Sequence, residues 1–364
     1  MKSPLTCVKR RNNRTRLVNL PCHSGYSLRM KPSQLNITNG DNAANTMKEA
    51  GIPDVFLPWR DILHDGPVPG GVDLDALAPI RARFLAQPPV ATREQILQDI
   101  RQRDDTLKDF RQYDRVVIWL EHDLYDQLQL LQLLNWFAEA APFETPLFLI
   151  NINQFPGIQP FYGLGQLTAP QMASLAGSEQ PVTKDQLALG QRAWLAFTSN
   201  TPLPLQELTG EDLSPLPFLQ SALLRHLEEF PDVTTGLSRH ERQILEMVDK
   251  GKDHPFKLFA GHQHLEKAPY LGDWGFWSLI ERLTNTENAL LQTATREPFI
   301  RPPNVPADEH FRSQSLRLTG IGRSVLRGEA DWVKLNPPDC WKGGVHLHPD
   351  NGIWRWNSKT QRFT

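Results

Sequence analysis

The fold of this chain is decided by one apolar stretch and the turn that follows it, RVVIWLEHD at residues 115–123. Its first six residues are almost all apolar, which is typical of a strand buried on both faces of a parallel sheet. Glu121, His122 and Asp123 follow directly, and a leucine-rich helix is predicted over residues 124–138. The stretch therefore predicts the strand, polar turn and helix of an α/β fold.

Strands and helices alternate around this stretch in the way that a parallel sheet requires. The predicted strands of this region cover residues 34–38, 54–59, 115–120 and 146–150. The predicted helices cover residues 43–50, 74–86, 92–110 and 124–138. The alternation predicts an α/β domain over residues 30–160, built on a Rossmann-like, doubly wound parallel sheet.

The rest of the chain is predicted to be helical and then winged-helix-like. Residues 161–236 are interpreted as a helical extension and linker, and a C-terminal domain over residues 237–364 opens with a capping box at residues 238–241. Further helices and strands are predicted at residues 255–266, 273–283, 289–292, 316–318 and 319–327. This order resembles a winged helix. A terminal β-hairpin is predicted to pair residues 344–348 with residues 353–356 across an Asn-Gly turn.

Length and composition indicate two globular units and no membrane span. The 364 residues exceed one domain of ~100 to 200 residues. Apolar residues make up 40% and charged residues 22%, and no apolar run approaches the ~20 residues that cross a bilayer. The three cysteines, Cys7, Cys22 and Cys340, cannot build a disulfide framework or a thiolate zinc site. We therefore expect a soluble, cytoplasmic protein.

The first 29 residues differ from the rest of the chain. They hold seven Lys or Arg residues, no carboxylate and no apolar core of a secretory signal. Three interpretations fit this basic leader: a disordered arm, an organellar transit peptide, or a start codon assigned too early, with Met30 as the true start. The last is favoured, because the periodic sequence begins abruptly at Leu35.

Charge is distributed unevenly in a way that disfavours nucleic acid as a partner. Residues 30–236 hold 14 Lys or Arg against 26 Asp or Glu, whereas residues 237–364 hold 18 against 15. An acidic domain repels phosphate backbones and favours cations or a small ligand held locally. The helix at residues 274–283, which a winged helix would present to DNA, has only one Arg and one Glu. The C-terminal part is therefore interpreted as a scaffold for packing or for a homo-oligomer.

Polar side chains follow three of the predicted strands, at the point where each strand ends. In chain order the three groups are Asn39, Gly40, Asp41 and Asn42; Arg60, Asp61, His64 and Asp65; and Glu121, His122, Asp123 and Asp126. Ligands of open parallel sheets bind in the crevice outside the carboxyl ends of the strands. We therefore expect these three loops to share one small-molecule site.

A divalent metal such as Mg²⁺ is the cofactor that this composition suggests, with Asp41, Glu121 and Asp123 as its ligands. Carboxylate oxygens are hard ligands, and the last two flank His122 within one turn. The alternative is that Asp41 or Asn42 caps the first helix and Asp123 caps the helix after the third strand.

The ligand itself is expected to carry phosphate. Gly40 allows close backbone approach, and the amides that open the next helix attract an anion. Arg60 is assigned to hold that anion. The predicted ligand-binding residues are Asn39, Gly40, Asp41, Asn42, Arg60 and Asp61.

Two histidines are candidates for moving protons. His122 can act as a base that a neighbouring carboxylate orients, and His64 lies between Asp61 and Asp65 in the second loop. The catalytic candidates are therefore His64, His122 and Glu121. The alternative for His64 is an exposed loop histidine without a role.

Three stretches of the sequence resemble a bacterial family whose N-terminal part is known as domain of unknown function 1835. The matching stretches are ITNGD at residues 37–41, LPWRDILHDGPV at residues 57–68 and WLEHDLYDQL at residues 119–128. The resemblance continues to residues 343–347 and 354–356. In that family His is expected at the position of Asn36. The resemblance implies no activity, because none is established for the family.

Three hypotheses about function follow from the sequence. The leading one is an enzyme or enzyme-derived domain that binds a small polar, phosphate-bearing ligand together with a divalent metal. The second is a ligand-responsive, DNA-binding transcription regulator whose first domain is the sensor. The third is a protein-interaction module without catalysis, which predicts no coupling among the loop residues.

Overall fold

The computed structural model describes residues 33–86, 91–302 and 309–364. The basic leader, residues 1–29, lies outside the described residues, so its three interpretations stay predictions. The described residues belong to one compact unit. Among them no helix combines the length and the apolar character needed to cross a membrane.

The described residues form twelve short strands and fourteen helices. The strands are β1 (Gln34–Thr38), β2 (Val55–Pro58), β3 (Gly66–Pro67), β4 (Arg115–Glu121), β5 (Leu147–Ile152), β6 (Gln180–Pro181), β7 (Leu291–Thr293), β8 (Leu316–Leu318), β9 (Cys340–Gly343), β10 (Val345–Leu347), β11 (Trp356–Asn357) and β12 (Arg362–Phe363). The helices of the first half are α1 (Asp41–Glu49), α2 (Leu74–Leu85), α3 (Arg93–Lys108), α4 (Leu124–Ala140), α5 (Ala169–Ala173), α6 (Lys184–Phe197), α7 (Leu203–Leu208) and α8 (Leu219–Leu227). The helices of the second half are α9 (Arg239–Asp249), α10 (Pro255–Leu265), α11 (Asp273–Thr284), α12 (Glu309–Ser313), α13 (Gly320–Leu326) and α14 (Trp332–Leu335).

A five-stranded sheet in the order β2-β1-β4-β5-β6 forms the centre of the molecule. The pairs β1–β2, β1–β4 and β4–β5 are parallel, as the sequence predicts, whereas the edge strand β6 is antiparallel to β5. The chain leaves β1 on one side to form β2 and crosses to the other side to form β4. The strand order therefore reverses between β1 and β4, which is the position where ligands bind in open α/β sheets.

Helices cover both faces of this sheet. Along β4, Val116 and Ile118 belong to a core with α4 and α6, whereas Val117 and Trp119 pack with α1 and α5. Residues of a strand point alternately to its two faces, so an all-apolar strand needs cover on both. The prediction of a doubly buried central strand is confirmed by this packing.

Helix starts follow the capping residues that the sequence offers. The Thr92 hydroxyl accepts from the Gln95 amide at the start of α3, and Ser238 and Glu241 form a reciprocal capping box at the start of α9. Each box satisfies two backbone amides that a helix start would otherwise leave unpaired. The predicted start of the second helical region is therefore confirmed at its residue.

The second half of the chain builds its own core around α9, α10 and α11, with the antiparallel pair β7–β8 beside it. The three helices and two strands match the predicted order, while their assignment to a winged helix stays a prediction. Helix α11 buries Phe276, Trp277 and Ile280, and Arg282 donates to the buried Glu241 carboxylate. Its one arginine is thus engaged with a buried carboxylate at the edge of this core, although its own side chain is 47% exposed.

The final residues pack on the first core, in contrast to the predicted division at residue 237. Val345, Leu347 and Trp356 belong to the same hydrophobic cluster as the central sheet and α4. Strand β9 also pairs in parallel with β3, which follows the second predicted loop. The C-terminal segment therefore lies against the loop that carries His64.

The predicted terminal hairpin is wrong in its pairing. Residues 345–347 pair with residues 340–343, and β11 pairs with β12 instead. The chain reverses at Gly343, whose φ of 63° suits glycine, and the next residue, Gly344, lies where a Cβ would collide with backbone of Thr198. The Asn351-Gly352 turn closes only a single bridge between His348 and Gly352.

Candidate functional site

Two of the three predicted loops meet at the point where the strand order reverses. The Asn39 side chain, just after β1, donates to the Asp126 carboxylate on α4 at 3.0 Å. The Glu121 backbone amide, at the end of β4, donates to the same carboxylate at 2.6 Å. The Tyr125 hydroxyl closes the group by donating to the Asn39 carbonyl at 3.2 Å.

Three buried carboxylates converge in this crevice and are called the carboxylate cluster: Glu121, Asp123 and Asp126. An oxygen of each lies within 4.8 Å of the others, and each side chain is 6% exposed or less. Asp123 also caps α4 by accepting from the Asp126 amide at 2.9 Å, as the capping alternative predicts. The cap does not conflict with a role for Asp123 in the site. Among the described residues, none of the three forms a salt bridge with Lys, Arg or His.

The cluster is electrostatically unfavourable when its three carboxyls are ionised. Burial raises the pKa of Glu121 well above its ordinary value, and the neighbouring Asp126 and Asp123 raise it further. Burial and then Asp126 raise the pKa of Asp123 in the same direction. Burial raises the pKa of Asp126 to about 7, although the amide of Glu121 and the side chain of Asn39 oppose this shift. Protons or a cation are therefore needed to balance the charge near neutral pH.

The loop at residues 163–165, between β5 and α5, closes over the cluster. The Leu164 amide donates to Glu121 Oε1, and a Cβ on Gly163 would collide with the Glu121 carboxylate. The φ of Gly163 is 151°, a conformation that favours glycine. Asn42, a predicted ligand-binding residue, reaches the same loop through a 3.4 Å bond to the Gly165 carbonyl.

The start of α1 is an open helix N-terminus beside the cluster. Gly40 is the N-cap in an extended conformation, and no side chain caps the helix, in contrast to the predicted alternative that Asp41 or Asn42 would do so. The first amides of a helix lack partners within the helix and attract anions. The anion site expected at Gly40 stays a prediction.

Asp41 and Arg60 pair with each other at the surface. Arg60 donates to both carboxylate oxygens at 2.6 and 2.7 Å, and both side chains are more than half exposed. The bond to Arg60 lowers the pKa of Asp41 and raises that of Arg60. Asp41 does not join the three clustered carboxylates, so the metal role predicted for it lacks the required geometry.

Asp61 has a structural partner where a ligand contact was predicted. Its carboxylate accepts from Arg81 at 2.8 and 3.0 Å, and the two side chains are 2% and 1% exposed. Arg81 also donates to the carbonyls of Asp65 and Pro67, which ties the whole loop to α2. The ligand-binding prediction for Asp61 is replaced by a buried ion pair, because its oxygens are already engaged.

His64 lies between two tyrosine rings. Its ring centroid is 6.0 Å from that of Tyr125 and 5.0 Å from that of Tyr270, and its buried Nδ1 has no partner. Burial lowers the pKa of His64 to about 4, so the ring is neutral at neutral pH. Through Tyr125 the ring adjoins Asn39 and hence the crevice.

His122 does not face the carboxylate cluster. It lines a separate cavity of about 330 Å³ together with Arg225, Arg239, Glu266 and Lys267. Burial lowers its pKa. The predicted orientation of His122 by a neighbouring carboxylate is therefore not formed, because successive residues leave a strand on opposite sides. Its buried Nδ1 has no hydrogen-bond partner among the described residues.

A second buried polar group was missed by the sequence analysis. Arg225 on α8 donates to the Glu266 carboxylate at 2.9 and 3.1 Å and also binds Glu229. The Glu229 carboxylate in turn lies 3.1 Å from His240 Nδ1. Beside them His262 is fully buried with neither ring nitrogen paired. The available signal was that His240 lies four residues before the apolar Ile244, on the core face of α9.

Comparisons of the sequence with known proteins assign no family to this chain. No protein-family model matches the chain, and no curated protein is significantly similar to it.

Proposed function

We propose that this chain is an enzyme, or an enzyme-derived domain, that binds a small phosphate-bearing ligand with a divalent cation such as Mg²⁺ at the carboxyl ends of β1 and β4. The observation that carries the proposal is the convergence of Glu121, Asp123 and Asp126 without a cationic partner among the described residues. The proposal includes a Rossmann-like assignment of the sheet and a winged-helix assignment of the second core.

A hard cation fits the cluster chemically. The three side chains offer only oxygen donors, which Mg²⁺ prefers, and the ion would offset repulsion that protons alone relieve at lower pH. Mg²⁺ commonly uses one or two carboxylates and completes its shell with water and substrate phosphate. Glu121 and Asp123 are the proposed ligands, with Asp126 as a third.

The phosphate is proposed to lie between this cation and the start of α1. Gly40 leaves the first helix amides without a side-chain cap, and the helix dipole favours an anion there. Asp41 would oppose an anion, but Arg60 neutralises it through two hydrogen bonds. Arg60 thus contributes by compensating Asp41 more than by holding the phosphate alone.

His64 is the better placed of the two histidines for proton transfer. Its neutral ring adjoins Tyr125, whose hydroxyl binds the Asn39 carbonyl in the crevice. The His122 side chain lines the other cavity. When bound, the cation would supply charge neutralisation, while the chain's own residues orient the ligand and exchange its proton.

The test is metal-dependent thermal stabilisation of the full chain, first with Mg²⁺ or Mn²⁺ alone and then with ATP or inorganic phosphate added. Asp123→Asn removes a charge but keeps an N-cap, because Asn caps about as well as Asp. Asp73→Asn is the matched control, since Asp73 caps α2 by accepting from the Ala76 amide. Metal at about 100 times its Kd should stabilise the parent and the control by about 2.7 kcal/mol, and Asp123→Asn far less.

Two results would overturn the proposal. If neither metal stabilises the parent, the cluster is not a cation site. If metal stabilises the parent but neither ATP nor phosphate adds to the effect, the ligand is not phosphate-bearing.

A further inference from the structure

A second group of potential metal ligands lies where α9 and α10 pack together, and it is called the histidine cluster: His240, His262 and Glu266. One ligand atom of each lies within 4.8 Å of the other two, and all three side chains are at least nine-tenths buried. The two imidazole centroids are 4.7 Å apart. We propose that the histidine cluster binds a divalent transition metal, with Zn²⁺ as the best fit.

Unpaired nitrogens provide the independent observation. His262 is 0% exposed, yet neither Nδ1 nor Nε2 has a hydrogen-bond partner, and His240 Nε2 is likewise buried and unpaired. Buried polar atoms without partners cost about 1 to 3 kcal/mol each, so such atoms usually have a ligand or an ordered water. Two imidazoles, each with an unpaired nitrogen, and one carboxylate match the two-histidine, one-glutamate donor set of a zinc site.

Glu229 prepares His240 for this role. Its carboxylate lies 3.1 Å from His240 Nδ1, so the imidazole donates there and presents the lone pair of Nε2 to the cluster. A carboxylate that fixes the tautomer of a metal-binding histidine is a recurring feature of zinc sites. Burial lowers the pKa of both histidines, which keeps them in the neutral form that binds metals.

Glu266 retains capacity for a metal although it is already hydrogen-bonded. Its Oε1 accepts from Arg225 and Gln243, whereas Oε2 accepts one hydrogen bond, from Arg225 Nε. A carboxylate oxygen has two lone pairs, so Oε2 can also bind an ion. Zinc ligands lie about 2.1 Å from the ion, so ligand atoms within 4.8 Å of one another can reach one ion after small rotations of the two imidazoles.

The local charge tolerates a dication. The charged side chains in this network are three carboxylates and two guanidiniums, which leave a net charge of −1 when all are ionised: Glu228, Glu229, Glu266, Arg225 and Arg239. Glu266 also lines the cavity that contains His122, so a metal could reach the site from that side. Three protein ligands leave one tetrahedral position open, as in catalytic zinc sites. This inference does not depend on the function proposed for the carboxylate cluster.

The experiment measures zinc binding by the full chain after treatment with a chelator, by competition with a chromophoric chelator. We expect one tightly bound equivalent in the parent, lost in His262→Gln. His264→Ala is the matched control, because His264 is an exposed histidine two residues further along α10. Glu229→Gln should retain the site but weaken its affinity by about 10- to 100-fold, as changes behind a metal ligand do.

A surface histidine pair requires a further control. His346 lies on β10 and His348 directly follows that strand, with ring centroids 5.4 Å apart. His346 also contacts Asp339. If His346→Ala removes the tight equivalent, or if His262→Gln binds zinc like the parent, the proposal is overturned.

Substitution with Co²⁺ keeps the question answerable if His262→Gln fails to fold. The intense visible absorption of four-coordinate Co²⁺ in the parent, unchanged in His346→Ala and shifted in Glu229→Gln, would support the site. Only the weak absorption of six-coordinate Co²⁺ in the parent would overturn it.

Discussion

Asp126→Asn should stabilise the protein when no metal is present, and the gain should depend on pH. In the parent, Asp126 is fully buried and its pKa is raised to about 7. The unfolded chain releases this proton near the ordinary value of 3.8, so the folded state binds more protons between these two values. Stability must therefore fall as pH rises through this window, and the loss is complete above the folded pKa.

The magnitude follows from the size of the shift. About three pKa units at 1.36 kcal/mol per unit correspond to a cost on the order of 4 kcal/mol for the ionised side chain. The variant keeps the acceptor for the Glu121 amide, and Asn39 can turn its amide to accept from the new side chain. We therefore expect a gain of roughly 4 kcal/mol at about pH 8 and of roughly 1.5 kcal/mol at about pH 5, where the unfolded carboxyl has already lost its proton.

The assay is urea denaturation of the parent and Asp126→Asn in chelator at both pH values. Because the folded parent keeps its proton at the lower pH while the unfolded chain has lost it, the difference in free energy of unfolding should be less than half as large there. Equal stability at the higher pH, or an equal gain at both, would refute the assignment of the destabilisation to the ionised carboxylate cluster.

Four further substitutions, one of them a control, test other parts of the structure by the same urea denaturation. Arg81→Met leaves Asp61 buried without its partner and should cost about 3 to 5 kcal/mol, whereas Arg192→Met, in an exposed ion pair, should cost less than about 1 kcal/mol; equal losses would contradict the structural role of the buried pair. Ser238→Ala should cost about 0.5 to 2 kcal/mol through loss of the capping box, and no loss would mean that α9 needs no cap. Gly163→Ala should cost more than about 1 kcal/mol and abolish metal-dependent stabilisation, because its Cβ and its φ are both incompatible with the loop over the carboxylate cluster; an unaffected metal response would show that this loop does not shape the site.

The central sheet could be predicted because its strands carry strong local signals. β4 is continuously apolar, so its burial on two faces follows from composition alone. The edge strand β6 could not be predicted in the same way. It is only two residues long, and both of them, Gln180 and Pro181, are exposed. Its pairing with β5 depends on where the chain returns after α5, which no local pattern specifies.

The candidate site was predictable only to the level of which strand ends carry polar residues. The reversal of strand order does bring Asn39 to Asp126 across 87 residues of sequence, as the crevice hypothesis requires. Which carboxylates cluster depends on the side of the strand to which each points. Asp41 lies at the surface with Arg60. Asp126, in the first turn of α4, is the third carboxylate of the cluster, the place that Asp41 was expected to fill.

The histidine cluster shows where sequence reasoning stops and packing takes over. The capping box fixes where α9 begins, and the fixed start places His240 on the same face as Ile244, so its burial could have been predicted. His262 likewise lies four residues after the buried Leu258 on α10. That these two faces meet, with Glu229 behind one imidazole, depends on how α8, α9 and α10 pack. A buried histidine on one helix is therefore predictable from periodicity, but a pair of them is a property of the helix interface.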